Sequence, residues 1–470
     1  MARDLHVVML PWSAFGHMMP FFQLSVALAK YGVKVSFVST TRNIQRLPKP
    51  PPNLATLINF VEFQLPAALD DELLPQGAEA TVDISFDKIQ YLKIAYDLLQ
   101  QPFKQFVADQ SPDWIIVDVI GHWAARIARE YEVPLLLFSV FNAAALGFVA
   151  HPEFMVGEAR KRVRSSPESV TFVPPWVDFP SSLAYRSFEG IGFFHGFYGS
   201  NASGITDAER TYDIIQACKA VAVRSCIEYE AQYLNLLEKI TTKPVIPVGL
   251  LPPENEKGRD QITDESWIKI FEWLDEQKPR SVVFVGFGSE CKLTKDQIYE
   301  MAYGLELSGL PFLWALRKPD WAVDDVDALP LGFGERTHGR GVVSIGWAPQ
   351  LEILGHRSVG GSMFHSGWGS VIETLQFGHC LVVLPFIIDQ PLNARILVEK
   401  GLAVEVERRE DGSFTKDDIA TALRLAMVSE EGEKLRVRAR EAAVIFKDKK
   451  LHEDYVNTFV EYLKVNVIEK

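Results

Sequence analysis

Short runs of apolar residues alternate along the chain with longer stretches in which apolar residues recur every three or four positions. Residues 5–10 form the first run, residues 19–31 the first periodic stretch and residues 34–39 the second run. Short apolar runs are typical of buried strands and the longer spacing of amphipathic helices, so this order predicts a βαβ unit with parallel strands. The same pattern predicts further strands at 57–63, 114–117 and 135–138, and helices at 86–108 and 123–131.

The alternation is interrupted at residues 249–264. This stretch contains LLPPENEKGRD, which is rich in proline and charge and has no apolar periodicity, so it is interpreted as a linker. Beyond it, strands are predicted at 281–286 and 311–316, with a helix at 295–308 between them. The predicted organisation is α/β, with two doubly wound, Rossmann-like domains and a final helix: residues 1–248, 265–449 and 450–470.

Composition and charge narrow the range of partners. The chain has 470 residues, is 47% hydrophobic and carries a net charge of -13, which argues against nucleic acid or an anionic membrane as a partner. The charged residues before Pro11 do not fit a signal peptide, and polar residues interrupt the long apolar run at 133–150, so no membrane span is predicted. The four cysteines lack paired spacing, which is typical of reduced thiols. We expect a cytoplasmic monomer.

Residues 347–390 contain the densest group of chemically useful side chains. Within them, an apolar strand at 359–364 ends in HSGWGS, residues 365–370, and a helix follows. Glycines let backbone N–H groups approach an anion closely, and the first N–H groups of a helix lack partners and lie at the positive end of its dipole. His365 and Ser370 add side-chain donors. The turn therefore predicts a phosphate-binding site.

Further polar groups around this turn suggest a nucleotide and a sugar. Glu373 lies three residues after Ser370 and on the same side of the helix, where its carboxylate can accept hydrogen bonds from ribose hydroxyls. Trp347 offers a flat face for a base, and Gln350 offers an amide that could contact its edge. Asp389 and Gln390 follow a second predicted strand, at the sheet edge where open α/β proteins bind ligands. Sugar hydroxyls suit a carboxylate and an amide.

The segment 347–390 resembles the signature sequence of plant family 1 UDP-glycosyltransferases at nearly every defining position. The resemblance extends almost end to end. It implies a GT-B fold, in which an N-terminal acceptor-binding domain and a C-terminal UDP-sugar-binding domain face a cleft and the last helix returns to the first domain. WIIVDVIGHWA at 114–124 and VGLLPP at 248–253 resemble the subgroup that acts on terpenoid and flavonoid glycosides or small phenolics.

The resemblance also implies a donor site. The implied donor-binding residues are Gly16 and Ser289, Trp347 on the uracil ring, Ala348 and Gln350 on the uridine, Glu373 on the ribose, His365, Gly367, Gly369 and Ser370 around the pyrophosphate, and Trp368, Asp389 and Gln390 on the sugar. Ser289 ends a G-F-G-S turn that could bring donors toward the phosphates. Gly369 departs from the family, which usually has asparagine there, so a side-chain contact to phosphate is missing. Some sugar-chain-extending members share this glycine.

His17 and Asp118 are the candidate catalytic residues. His17 lies on the loop opening the first helix, and Asp118 ends a predicted strand, so both are expected at the carboxyl edge of the first sheet. A neutral imidazole can take a proton from a hydroxyl near neutral pH, and a carboxylate on its other nitrogen orients it. A capping role for Asp118 is the alternative. The resemblance implies that the two residues form the general base.

Aromatic residues are dense where the first domain is expected to bind an acceptor. The candidate acceptor-binding residues are Phe15, Ile120, His122, Phe141, Phe193 and Phe197. Residues 190–204 are too glycine-rich for a stable helix, so a mobile flap over the acceptor is predicted there. For His122, core packing or capping is an alternative role. Asp325-Val326-Asp327 resembles a metal-binding D-x-D, but its acidic, irregular surroundings favour a solvated loop, and we expect no metal and no cofactor.

These features predict an inverting transferase that moves a sugar from a UDP-sugar co-substrate to a hydroxyl of a small hydrophobic metabolite or its glycoside. Glucose is the expected sugar because the family most often pairs it with the residues at Asp389 and Gln390. Rhamnose transfer to a glycoside is the alternative. A ligand-binding protein of the same fold is the non-enzyme alternative. A dinucleotide-dependent oxidoreductase and a serine hydrolase are disfavoured, because the chain has no G-x-G-x-x-G after its first strand and no G-x-S-x-G.

Overall fold

The structure, a computed structural model, describes residues 5–66, 70–253, 262–288, 290–325 and 327–467. The chain divides into two compact units. Unit 1 comprises Met1–Phe179, Gly190–Leu251 and Lys449–Lys470, and unit 2 comprises Pro180–Glu189 and Pro252–Asp448. Each unit is built on a parallel sheet with helices on both sides, so the expected α/β class with Rossmann-like units is confirmed.

In the described part of unit 1, seven parallel strands form a sheet with the order β3-β2-β1-β4-β5-β6-β7. The strands are β1 His6–Leu10, β2 Lys34–Thr40, β3 Ile58–Phe63, β4 Trp114–Val117, β5 Leu135–Ser139, β6 Ala220–Val223 and β7 Val245–Pro247. Strands β1 and β4 pair in register from Val7 opposite Trp114 to Leu10 opposite Val117. The strand order reverses between these two strands, and a ligand site is expected at the carboxyl edge of such a point.

The helices of unit 1 connect the strands. They are α1 Phe15–Ala29, α2 Thr41–Arg46, α3 Ile89–Asp97, α4 Gln100–Gln110, α5 Ala124–Glu130, α6 Ala143–Val149, α7 Gly157–Val163, α8 Ser187–Tyr198, which begins in unit 2, α9 Asp207–Ala217 and α10 Ile227–Thr241. Single 3₁₀ turns occur at Thr81–Asp83, Phe86–Lys88, Pro152–Phe154 and Pro167–Val170. The helix predicted at 86–108 is divided into a 3₁₀ turn, α3 and α4. Pro102 lies in the first turn of α4, where its missing N–H leaves no helical bond unmade.

Helix α8 corrects the expectation that the glycine-rich segment 190–204 forms no stable helix, because residues 190–198 are helical. Three glycines inside a helix cost about 1 kcal/mol each. The aromatic side chains of α8 offset that cost, because Phe194 and Tyr198 are only 8% and 7% exposed and burial of each contributes about 1.5–3 kcal/mol. The Arg160 guanidinium also lies over both rings. Tertiary packing therefore outweighs the local preference.

The core of unit 1 lies between its sheet and the helices, and the chain's last helix, which we call α19 (Lys449–Val465), contributes to it. Phe459, Val460 and Leu463 are fully buried in this core. The indole N–H of Trp114 donates to the carbonyl oxygen of Leu463 at 3.0 Å. The start of the stretch interpreted as a linker also packs here, since Leu251 belongs to this core. Residues 254–261 of that stretch lie outside the described residues.

In unit 2, the described residues form a six-stranded parallel sheet with the order β10-β9-β8-β11-β12-β13. Its strands are β8 Val282–Gly286, β9 Phe312–Leu316, β10 Gly341–Ile345, β11 Val359–Phe364, β12 Cys380–Val383 and β13 Ala403–Glu405. Its helices are α11 Glu265–Glu276, α12 Lys295–Ser308, α13 Phe333–Arg336, α14 Gln350–Leu354, α15 Trp368–Leu375, α16 Gln390–Glu399, α17 Lys416–Met427 and α18 Glu433–Phe446. The strand order reverses between β8 and β11, directly before the predicted phosphate turn.

Neither a membrane span nor a disulfide is found in the described residues. No helix among them is both long and apolar enough to cross a bilayer. All four cysteines are unpaired, and three of them, Cys218, Cys226 and Cys380, are buried. Burial raises the pKa of the Cys218 thiol to about 11, so this thiol is protonated at neutral pH.

Candidate active site

His17 and Asp118 meet at the carboxyl edge of the unit 1 sheet. Asp118 directly follows β4, and His17 lies in the first turn of α1, which begins earlier than the helix predicted at 19–31. The Nδ1 atom of His17 is 2.7 Å from Oδ2 of Asp118. The backbone N–H groups of Trp12 and Val119 also donate to this carboxylate, at 3.0 and 2.7 Å. Asp118 is fully buried, so its carboxylate interacts with these donors and not with solvent.

This arrangement determines the proton position on the imidazole. Because both neighbouring backbone groups are donors, Asp118 accepts, and His17 must donate its Nδ1–H. The Nε2 atom of His17 is then the acceptor and can act as a base. The Phe141 ring meets the imidazole edge to face, with centroids 5.3 Å apart and planes at 85°. An aromatic wall beside a directed base suits the deprotonation of an acceptor hydroxyl.

His122 lies near an ion pair whose arginine is buried. Arg210, which is fully buried, donates through its two terminal nitrogens to Asp97 at 2.7 and 2.5 Å. Its Nη1 is also 3.0 Å from Nδ1 of His122 and 3.2 Å from the carbonyl oxygen of Ile120. Burial, followed by the charge of Arg210, lowers the pKa of His122. His122 is therefore neutral, accepts at Nδ1 and carries its proton on Nε2.

The remaining candidate acceptor residues differ in exposure. The Ile120 side chain is 5% exposed, so it belongs to the packed interior. Phe193 and Phe197 stack on each other in α8, with centroids 5.5 Å apart and planes at 16°. Phe15 is half-buried, with the Arg46 guanidinium 6.0 Å from its ring centre. These aromatic rings remain candidates for an acceptor surface, whereas the Ile120 side chain does not.

On unit 2, the candidate uridine residues lie between β10 and α15. The Trp347 indole is 78% exposed, which is unusual for so large an apolar ring and suits a stacking platform. Ala348 next to it is half-buried. The Nε2 of Gln350 donates to Oε2 of Glu373 at 2.6 Å. The two side chains implied to hold uridine and ribose are therefore neighbours.

The predicted phosphate turn joins β11 to α15. Ser366 has a left-handed backbone with φ of 60°, and Gly367 caps α15 without a side-chain hydrogen bond. A Cβ atom at Gly367 would lie 2.7 Å from Nε2 of His365, closer than two such atoms can approach. A side chain at this position would therefore displace the His365 imidazole, whereas glycine leaves the backbone N–H groups at the start of α15 open to the predicted anion. Gly369 and Ser370 follow in the first turn, both half-buried.

His365 is neutral in this turn. Burial lowers the pKa of its imidazole to about 4. Its Nδ1 is buried and has no hydrogen-bond partner among the described residues. A buried polar atom without a partner is costly, so the unpaired Nδ1 suggests that a ligand completes its bonding. At neutral pH the imidazole of His365 is therefore uncharged, and its predicted role at a phosphate is that of a hydrogen-bonding group.

The Trp368 side chain packs against helix α18. Its indole is 3% exposed and meets the Phe446 ring of α18 edge to face, with centroids 6.3 Å apart. The ring is therefore part of the core of unit 2. Any contact between Trp368 and a sugar involves its backbone at the start of α15.

Asp389 and Gln390 open helix α16. The Oε1 of Gln390 accepts from the backbone N–H groups of Phe386 and Ile387, at 3.0 and 3.1 Å. These bonds identify the amide oxygen, and they leave the amide NH₂ of Gln390 to bind a ligand acceptor. Oδ2 of Asp389 accepts from Asn393 at 2.7 Å. The pair thus combines N–H donors with a carboxylate acceptor, which suits its predicted role at sugar hydroxyls.

Two residues that the sequence did not reveal join the phosphate turn to this helix. Asn393 donates both to Asp389 and to the carbonyl oxygen of Ser366, the latter at 2.9 Å. The Ser366 hydroxyl is 2.8 Å from the carbonyl oxygen of Gln390. The spacing of Asn393, four residues after Asp389 on one helix face, could have identified it. Nothing local identified Ser366, because its partner lies 24 residues away.

The last residues singled out from the sequence are Ser289, Gly16 and Asp325. Ser289 lies outside the described residues. Gly16 is exposed in the first turn of α1, with open space where a Cβ would be. Asp325, part of the acidic D-x-D, is 4.0 Å from the Lys318 ammonium. Across the ranges that the structure describes, no three histidine, cysteine or acidic side chains converge in a possible metal site.

The chain is similar to known glycosyltransferases. A family model described as UDP-glucoronosyl and UDP-glucosyl transferase matches residues 264–452. The chain is 44% identical to UDP-glycosyltransferase 91A1 of Arabidopsis thaliana, over 98% of this chain and 97% of that protein. It is 40% identical to soyasaponin III rhamnosyltransferase of Glycine max, over 98% of this chain and 96% of that protein.

The fold is similar to that of a solved relative. The crystal structure of Glycyrrhiza uralensis UGT73P12 complexed with glycyrrhetinic acid 3-O-monoglucuronide superposes with a TM-score of 0.80 at 22% identity, covering 98% of this chain and 96% of that one. These comparisons confirm the GT-B fold and the family predicted from the signature segment. The chain therefore belongs to plant family 1 of the UDP-glycosyltransferases, and it is an enzyme that transfers a sugar from a UDP-sugar donor.

Proposed function

We propose that this enzyme inverts the anomeric centre of the donor sugar in a single displacement, with His17 as general base. Nε2 of His17 takes the proton of an acceptor hydroxyl, and the acceptor oxygen attacks the anomeric carbon. The bond from that carbon to the UDP oxygen breaks, and UDP leaves with the bonding electrons. The observation that carries this proposal is the 2.7 Å bond between His17 and the buried Asp118, which leaves Nε2 unprotonated and supports the imidazolium as it forms.

The leaving UDP gains negative charge, and residues on unit 2 suit that charge. The first N–H groups of α15 lie at the positive end of its dipole. His365 adds a neutral hydrogen-bond donor, because its lowered pKa of about 4 keeps it uncharged at neutral pH. Donors aimed at developing charge typically contribute several kcal/mol to a reaction of this kind. In this proposal neither a metal nor a cofactor is required.

The experiment that tests the base is His17→Ala. We expect UDP binding to stay within about twofold, because His17 belongs to unit 1 and the candidate UDP residues other than Gly16 belong to unit 2. Transfer should fall by about 100-fold or more, since general base catalysis contributes 10² to 10⁴. Turnover with an acceptor panel is measured by mass detection, and UDP affinity by calorimetry. Near-normal turnover in this variant would exclude His17 as the base.

We propose glucose as the donor sugar. The amide NH₂ of Gln390 and the carboxylate of Asp389 form a donor-acceptor pair suited to adjacent equatorial hydroxyls. Rhamnose is the second candidate, because a relative 40% identical to this chain is named a rhamnosyltransferase. A mixture of equal UDP-glucose, UDP-rhamnose and UDP-galactose decides between them. Glucose transfer should dominate, with galactose at least about tenfold poorer because its inverted hydroxyl leaves a buried polar group unpaired. Dominant rhamnose transfer would replace the donor and leave the mechanism standing.

For the acceptor, we propose a hydrophobic plant metabolite that already carries a sugar, such as a terpenoid or flavonoid glycoside. The soybean relative is named for a saponin, which supports an acceptor of this class. Phe141 offers an apolar wall beside the base, and His122, in the segment that follows β4, offers a neutral N–H. A panel that pairs each aglycone with its glycoside tests this, and faster transfer to the aglycones would contradict it. We also propose a cytoplasmic monomer, which fractionation and light scattering can test.

A further inference from the structure

Residues 180–189, called the clamp segment below, contact both ends of helix α16 within unit 2. At the carboxyl end, the backbone N–H and the hydroxyl of Ser182 donate to Glu399 at 2.7 and 2.8 Å. At the amino end, the hydroxyl of Tyr185 donates to the carbonyl oxygen of Ile388 at 2.7 Å. The candidate sugar-binding pair opens α16, so the clamp segment holds the helix that carries it.

A buried ion-pair network adds a third attachment, in the middle of α16. Arg395 donates to Glu189 of the clamp segment at 2.7 Å, and it also pairs with Glu405 of β13. Arg186 of the clamp segment lies 3.3 Å from the same Glu405 carboxylate. Glu189 is 6% exposed, so these charges depend on one another for partners. The clamp segment is therefore fixed along the whole length of α16.

The residue bound by Tyr185 has a strained backbone. Ile388 has φ of 53°, in the left-handed region that a β-branched residue rarely adopts. Its side chain is 47% exposed, so packing of that side chain is not sufficient to hold the conformation. Tyr185 is 3% exposed, and its buried side chain brings the hydroxyl to the Ile388 carbonyl. Strain of this kind persists only where the surroundings impose it, and it is concentrated at functional sites.

We propose that Tyr185 is a positioning residue for the donor sugar. Its hydroxyl holds the Ile388 carbonyl in the left-handed conformation, which sets the direction in which Asp389 and Gln390 enter α16. Without this bond, the peptide relaxes and the two side chains lose their orientation toward the sugar. This inference rests on the proposed function, in which Asp389 and Gln390 bind the sugar. Tyr185 itself need not touch the substrate.

The test is Tyr185→Phe, which removes the hydroxyl and keeps the buried ring. UDP affinity should stay within about twofold, because the candidate uridine and phosphate residues do not depend on the Ile388 carbonyl. The affinity gained by UDP-glucose over UDP should fall by about fivefold or more, and discrimination between UDP-glucose and UDP-galactose should fall with it. Calorimetry with UDP and with UDP-glucose measures the first quantity, and competition kinetics the second.

Two further variants separate positioning from general destabilisation. Tyr31→Phe removes a similar hydroxyl-to-carbonyl bond, 2.9 Å long and in unit 1, and should change neither quantity. Ile388→Asn in the Tyr185→Phe background should restore much of the sugar-dependent affinity, because asparagine adopts left-handed φ more readily than isoleucine. A variant that was merely less stable would not be rescued in this way.

The outcomes distinguish this inference from the proposed function. Unchanged sugar-dependent affinity in Tyr185→Phe, or an equal loss of UDP affinity, would overturn the role of Tyr185. Absence of rescue by Ile388→Asn would overturn the link through the strained peptide. Gln390→Ala is the reference variant. If it leaves sugar-dependent affinity unchanged, the proposed sugar site is wrong, whereas a loss there alone contradicts only the role of Tyr185.

Discussion

Asp118→Asn is a sharp test of the catalytic pair, because it changes one atom where three donors converge. In the enzyme, Oδ2 accepts from His17 at 2.7 Å and from the Trp12 N–H at 3.0 Å, and Oδ1 accepts from the Val119 N–H at 2.7 Å. Asparagine offers one acceptor oxygen and one NH₂ group. In either orientation of the amide, at least one buried donor faces another donor.

The two orientations have different consequences for the imidazole. With the amide oxygen toward His17, its tautomer is preserved and the Val119 N–H is left unpaired. With the NH₂ toward His17, the Trp12 N–H is left unpaired and the imidazole must accept at Nδ1, so Nε2 is protonated and cannot act as base. One unpaired buried donor costs about 1–3 kcal/mol of stability in each case. Loss of the charge that supports the imidazolium, together with the wrong tautomer, predicts a transfer rate lower by about 10² to 10⁴.

The assay compares the rate of UDP release across pH with the free energy of unfolding from denaturant titration. Asp113→Asn is the matched control, because Asp113 is another buried carboxylate and accepts from the His6 N–H at 2.8 Å, at the opposite end of β4. It should lose stability without a comparable loss of rate. A rate for Asp118→Asn within threefold of the parent enzyme, or an effect fully additive with that of His17→Ala, would refute the reasoning, since members of one catalytic unit are not additive.

Three further predictions concern unit 2. Trp347→Ala should weaken UDP binding by about tenfold, because stacking on a base contributes about 1–3 kcal/mol. Gln390→Ala should weaken the binding of UDP-glucose and leave the binding of UDP unchanged. Equal effects of the two variants on UDP affinity, measured by calorimetry, would contradict this assignment. Gly367→Ala should weaken UDP binding by about tenfold or more, because the new Cβ would lie 2.7 Å from the His365 imidazole. Unchanged UDP affinity would show that the turn accommodates a side chain and would contradict the role of Gly367. Burial lowers the pKa of His365 to about 4 in the folded enzyme, whereas a histidine in the unfolded chain has a pKa of about 6.5. As the pH falls, the unfolded chain is therefore protonated at His365 before the folded enzyme is. The free energy of unfolding that depends on His365 is complete above about pH 6.5 and is lost as the pH falls toward 4. His365→Gln should therefore flatten the unfolding free energy across that window, and an unchanged slope would assign the acid sensitivity to other groups.

Much of the fold followed from the apolar pattern. Strand β4 is a continuous apolar run, and β5 is apolar up to its last residue, Ser139, as is typical of parallel strands covered on both faces. The pattern failed where a local preference was overruled. Residues 190–198 belong to helix α8 because aromatic burial offsets the cost of three glycines. A new helix, α4, begins just before Pro102 within the stretch predicted as one helix. Helix α1 begins earlier than predicted, which places His17 in its first turn.

The chemistry of the site was more visible in the sequence than its geometry. The signature segment supplied the family and the enzyme class, which the comparisons confirm. The roles of individual site residues stay predictions. The structure reassigned the Trp368 ring to the core, and it added Asn393 and Ser366 as the links between the phosphate turn and α16.

The sequence by itself determined the order of strands and helices, the two α/β units and the residue types of the donor site, because periodicity and short motifs are local properties. Only the tertiary structure decided which of these residues meet. His17 and Asp118 are 101 positions apart, and Tyr185 and Ile388 are 203 positions apart. Such pairs form because strands and segments distant along the chain are brought to one edge by packing. The same packing imposes the left-handed backbone of Ile388, which the residue itself disfavours.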